Sequence, residues 1–178
     1  SDIQNIMKLV LRKKVEKRCN KNGFIDEVYR IEKFIEENMR PENLSGACNY
    51  DIEYHCRLCI PIENSQIIAQ VKAINQELIL AQNGPIMIFI PKDNINTAMW
   101  DVSDKFLSTR TKSNLKVNNY IKVEVINKRI NQGDFQIKVI GQLEDMATED
   151  EISKYYGSII NDEEEEIIKQ EEESNFII

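Results

Sequence analysis

Cys56 and Cys59 are the first side chains that could do chemistry, because a C-x-x-C pair is half of a tetrahedral zinc site. Their surroundings point elsewhere. From Gly46 to Pro61 the residues alternate: Cys48, Tyr50, Ile52, Tyr54, Cys56 and Leu58 fall on one side, and Asn49, Asp51, Glu53, His55 and Arg57 on the other. A period of two marks a half-buried antiparallel strand, on which residues three apart face opposite ways. The pair therefore reads as buried and edge thiols, with no metal site. His55, the single histidine, falls on the polar side of that strand and reads as a surface residue more readily than as a general base. Only 6 of 178 residues are glycine, and no two sit at a phosphate-loop spacing. No serine, cysteine or threonine occupies a nucleophile-elbow or thiol-protease context. The expectation is a chain with no catalytic residues and no cofactor, and so not itself an enzyme.

What must position these residues is one core of ordinary size or two small ones sharing an interface. The four cysteines have no framework spacing, which suits a reducing intracellular compartment. The longest apolar run, Pro85 to Pro91, is too short to cross a bilayer, and no secretory pattern opens the sequence. No membrane association is expected. The net charge of −7 is unevenly spread. Residues 144–178 hold 13 acidic and 2 basic side chains, leaving 17 acidic and 21 basic in residues 1–143. A mildly basic body with a strongly acidic end commonly accompanies a nucleic-acid or basic-protein partner.

Along the chain, Ile3, Ile6, Met7, Val10 and Leu11 have helical spacing and run into the basic cluster Arg12 to Lys21. Val15 to Cys19 and Phe24 to Ile31 read as strands joined by the turn Lys21-Asn22-Gly23. A polar excursion, Glu36 to Gly46, precedes the alternating strand and closes an α+β module. Beyond Ser65, strands centred on Ile67–Ala73, Glu77–Gln82, Ile86–Ile90, Ile121–Val125 and Phe135–Val139 are separated by turn signals and one long polar connection. Five short strands with that spacing predict an all-β five-stranded OB-fold barrel, a fold that binds oligonucleotides. From Thr148 the chain is acidic and helix-prone, and Thr148 with Glu151 fits a capping box. The predicted domains are an N-terminal tip over 1–63, the barrel over 64–146 and a partly helical acidic extension over 147–178.

The order of blocks (a helix, VEKRC, NGFIDEVYRI, a polar tip, CNYDIEYHCRLCIP, then QIIAQVKAINQ and NGPIMIFIP) resembles the stalk subunit of multisubunit DNA-directed RNA polymerases, the seventh subunit of eukaryotic RNA polymerase II and its archaeal counterpart. Large DNA viruses also encode this subunit. The resemblance spans about residues 3–143. It implies a non-catalytic subunit that docks its tip at the clamp base and offers its barrel to nascent single-stranded RNA near the exit channel. The implied partners are core polymerase subunits, RNA and a second stalk subunit. The implied location is the nucleus for a cellular protein, and the cytoplasm or virion for a viral one.

Carried over by position, the core-docking residues are Met39, Arg40, Pro41, Leu44 and Gly46, with Gly23, Phe24 and Ile25 beside them. The barrel offers only Phe89 as an aromatic stacking residue, so RNA contact is expected to be weak and electrostatic. Its candidates are Lys72, Lys92, Lys112, Lys116, Lys122, Lys128, Arg129 and Lys138, with Lys105 and Arg110 also basic. Two alternatives stay open: a free-standing OB-fold RNA-binding factor in translation or RNA processing, and an assembly adaptor whose barrel binds only protein.

Overall fold

The computed structural model describes residues 2–36, 49–103 and 105–161. The elements in order are α1 (Asp2–Val15), β1 (Arg18–Asn20), β2 (Gly23–Glu36), β3 (Tyr50–Cys59), β4 (Gln66–Ile74), β5 (Leu78–Asn83), β6 (Ile86–Pro91), β7 (Trp100–Asp101), β8 (Leu107–Ser108), β9 (Tyr120–Arg129) and β10 (Ile137–Met146). A final helix, α2, covers 149–161. The chain divides into two compact units, Ser1–Ile62 with Lys128–Lys138, and Glu63–Asn127 with Val139–Ile178.

In the first unit β1, β2 and β3 form an antiparallel sheet. The inner half of β2 buries Phe24, Ile25 and Val28, joined by Cys19 of β1. Gly23 lies close to β3: a Cβ there would sit 2.7 Å from both the Cys59 carbonyl oxygen and Ile60 Cγ1. Helix α1 runs to Val15, where a strand was expected to begin, and the strand starts only at Arg18. The reason is in the side chains. Arg12 bonds Glu16 across one turn at 2.6 Å, and Glu16 accepts the Val28 amide at 2.8 Å, which fixes the helix end against β2. Cys19 also exchanges backbone bonds with the 131–136 turn, its amide donating to Asp134 and its carbonyl accepting from Gly133. Phe135 therefore belongs to a turn and not to the barrel strand it was expected to open. Its exposed ring lies 5.3 Å from the Arg18 guanidinium carbon.

The second unit contains a closed barrel with strand order β10-β6-β5-β4-β9. That neighbour order is the OB arrangement predicted from turn spacing, so the α+β tip plus five-stranded barrel is borne out as a fold. Ala69, Val71, Ile79, Ala81, Ile88 and Ile90 alternate inward on β4 to β6, and Ile121, Val123 and Val125 do so on β9. Gly141 of β10 allows the close approach of Val123 and Ile88 side chains that a Cβ would obstruct. The connection from 92 to 119 is more than a polar loop. It buries Trp100, Phe106 and Leu115, and the Trp100 indole donates to the Glu144 carbonyl at 3.1 Å.

Helix α2 opens on the expected capping box. Thr148 N–H donates to Glu151 Oε2 at 2.9 Å, and Glu151 N–H donates to Thr148 Oγ1 at 3.3 Å. The helix packs tyrosines on the barrel: Tyr156 donates to the Ile68 carbonyl, and Tyr155 accepts from Asn83 at 2.7 Å. Burial, with Tyr155 and Tyr120 close by, pushes the Tyr156 hydroxyl up to about 12.

Candidate docking and nucleic-acid surfaces

The β2–β3 ribbon changes character along its length. Its inner end pairs Phe24 with Cys59 and Ile25 with Leu58 over the buried core. Asp26 ties that end together, accepting from Lys17 at 2.5 Å and from Arg57 Nε at 2.8 Å. Burial pushes the Asp26 carboxyl up, but the bonds from Lys17 and Arg57 outweigh it and hold the group below the usual carboxylate range. Burial raises the thiols of Cys56 and Cys59, and neighbouring Asp26 and Cys19 raise Cys59 further, so neither is activated as a nucleophile. His55 is exposed, with Nε2 2.5 Å from Glu32. No group of three His, Cys, Asp or Glu side chains is placed to hold a metal among the described residues.

At the outer end the partners are Phe34 with Ile52, Ile35 with Asp51, and Glu36 with Tyr50. Phe34 is 39% exposed, Ile35 50% and Tyr50 40%. Among the described residues, the two-stranded ribbon leaves these side chains exposed. None of the three was among the docking residues expected from the sequence, and their signal is three large apolar groups flanking the polar excursion. Of the expected docking residues, Gly23, Phe24 and Ile25 are committed to the unit's own core. Met39, Arg40, Pro41, Leu44 and Gly46 lie outside the described residues. Helix α1 buries none of its residues, and Ile3, Ile6, Leu9 and Val10 are each at least half exposed.

On the barrel, cross-strand register builds one outward strip. Phe89 faces Leu80, Met87 faces Gln82, and Gln82 faces Gln70. Lys72 reaches the same strip, donating to Gln70 Oε1 at 2.8 Å. Phe89 is half-buried there and is the strip's aromatic residue. The remaining basic candidates are dispersed. Lys92, Lys112 and Lys116 are exposed on the connection after β6. Lys122 is paired with Glu151 at 3.0 Å, an acidic residue of the C-terminal helix. The Thr148 amide first and Lys122 second hold the Glu151 carboxyl below its ordinary value. Lys128 donates to the Pro61 carbonyl at 3.0 Å in the first unit, where Arg129 and Lys138 are exposed. Arg110 is a structural clamp, donating to Asp145 at 2.8 Å and to the Met146 carbonyl at 3.2 Å. No helix among the described residues is long and apolar enough to cross a membrane.

No established family profile matches the chain. A protein of Acanthamoeba polyphaga mimivirus, named "Putative DNA-directed RNA polymerase subunit", is 32% identical over 155 residues, covering 86% of this chain and 78% of that protein.

Proposed function

Because the chain belongs to the family of this viral DNA-directed RNA polymerase subunit, we propose that it is the non-catalytic stalk subunit, held in place on the polymerase core by its first unit. The observation that carries the reading is serial architecture within that family: a ribbon-tipped α+β unit followed by an OB-type barrel. The outer ribbon supports it, since Phe34, Ile35 and Tyr50 are large side chains left exposed in this chain. Anchors of this kind carry most of an interface's free energy when buried in a partner pocket. On this reading Met39, Arg40, Pro41, Leu44 and Gly46 form the adjoining contact, and the polymerase core is the cover. A second, helical stalk subunit is a further partner, and the cytoplasm or virion is the location.

The barrel then meets nascent RNA weakly. Phe89 and Lys72 share one strip, and the other cations bind phosphate without reading bases. If three or four phosphates are neutralised, the logarithm of affinity falls against that of salt with a slope of about −2 to −3. The test is the size of the assembly carrying the tagged full chain in its native source, with crosslinking of nascent transcript. The reading expects a polymerase-sized complex and crosslinks within 64–146. A protein that elutes alone at its own 20.8 kDa is a free-standing factor, and the stalk assignment fails.

A further inference from the structure

The barrel unit holds a cavity of about 390 Å³ between the β4–β5 turn and the long connection. Pockets that seat small organic ligands run from roughly 300 to 1,000 Å³. This one lies at the lower end of that range and suits a single nucleotide unit. We propose that it binds one nucleoside monophosphate unit, with the base against its apolar wall and the phosphate on its lysines; this rests on the reading that the barrel meets RNA.

The lining is divided as such a ligand requires. Ile74, Val102, Phe106 and Leu115 supply the apolar wall. Phe106 and Leu115 are buried in the unit and joined by a 2.8 Å backbone bond from Leu115 N to Phe106 O, so the wall is part of the fold. Gln76, Asn114 and Asn75 supply amides that can meet the hydrogen-bonding edge of a base. Asn75 is held ready: its Oδ1 accepts from Glu77 N at 2.9 Å and Leu78 N at 2.7 Å, which leaves its NH₂ to donate outward. Among the described residues that line the cavity, Lys92 and Lys105 are basic and Glu77 is acidic. The backbone bond from Lys92 N to Glu77 O, 2.9 Å, fixes that rim. A phosphate is favoured over a cation there. The carboxylate is suited to accept from a ribose hydroxyl, the group that separates RNA from DNA.

The same chemistry is presented by a free mononucleotide and by one nucleotide of a strand. Full-length protein would be titrated with uridine and adenosine monophosphates and, separately, with a 12-nucleotide single-stranded RNA, by amide NMR. The pocket predicts mononucleotide shifts concentrated at 74–77, 92, 102–103, 105–106 and 114–115. Asn114→Trp, which fills the cavity from an exposed position, should remove those shifts and weaken the 12-mer about fivefold or more. Should that variant unfold, Lys92→Ala with Lys105→Ala should cut mononucleotide affinity while leaving the spectrum of the free protein intact. Mononucleotide shifts without binding of the 12-mer would keep the pocket, with free nucleotide as its ligand, and end the RNA reading. RNA binding with no mononucleotide shift at the pocket, and no loss in Asn114→Trp, would overturn the pocket and leave the RNA reading standing. If Asn114→Trp instead loses polymerase assembly at unchanged RNA affinity, the cavity takes a partner's side chain and the proposal is wrong.

Discussion

The two units handle apolar side chains in opposite ways. Among the described residues, 17 of the 22 buried apolar side chains lie in the barrel unit, while 10 of the 15 exposed large ones lie in the first unit. The barrel closes on itself and leaves no long edge, so its strands satisfy one another. The first unit has a thin sheet, a helix with no buried residue and a ribbon whose outer end exposes large apolar groups. One unit closes on itself; the other leaves large apolar side chains exposed among its described residues. On the proposed function, that exposed apolar area is the docking surface.

The largest effects should separate the units by stability. Ile121→Ala in the barrel removes a fully buried side chain and should cost about 2–5 kcal/mol, and Trp100→Ala about 3–5 kcal/mol, read as lowered Tm. Phe34→Ala on the outer ribbon should stay within about 0.5 kcal/mol. A ribbon substitution as damaging as the barrel ones would mean that Phe34 is core, and the contrast would collapse. Assembly should show the reverse order. Phe34→Asp with Ile35→Asp should weaken binding to the polymerase core by about 2 kcal/mol or more in a pull-down titration, with the melting curve barely changed. Equal assembly would move docking to another surface, such as α1.

A smaller effect concerns the ribbon's inner end. The folded Asp26 carboxyl lies below its ordinary value of 3.8, so its contribution to stability is present above the unfolded pKa and is lost as pH falls through the folded one. Asp26→Asn should therefore be less stable than the parent near neutrality, with the two converging below about pH 4 in acid melts. Convergence at high pH instead would contradict the ion-pair account. Smallest should be the tail. If the acidic residues 162–178 compete with RNA for the barrel's cations, removing them should strengthen RNA binding at low salt only. Unchanged affinity would remove the competition idea. Glu151→Gln, which releases Lys122 from its ion pair, should move affinity in the same direction by less.

Legibility in the sequence followed the same divide. The barrel strands were readable because Ile86, Ile88 and Ile90, or Ile121, Val123 and Val125, keep strict alternation between clear turns. On the ribbon β3 was readable by its alternation, whereas the run of β2 past Ile31 was not, because register shifts after Ile25, Val28 and Ile31 break the period of two and Phe34 and Ile35 stand side by side. Trp100, Phe106 and Leu115 were missed because they stand far apart in a polar connection, where burial comes from tertiary packing without periodicity. Of the outward strip on the barrel, the sequence named Lys72 and Phe89 as RNA candidates. Only cross-strand register could bring Leu80, Met87, Gln82 and Gln70 beside them. Lys122 illustrates the converse, since a basic residue in the sequence is occupied in the fold by an acidic one 29 positions later.

Attachment through the first unit is the claim on which the stalk role depends. The most direct measurement is a paired pull-down from the native source of the tagged protein and its Met39→Asp, Leu44→Asp variant, with the melting temperature of each taken in isolation. The prediction is that the parent brings down the polymerase core, while the variant keeps its melting temperature and comes down alone. A variant that still carries the core, or a parent that never does, would contradict it.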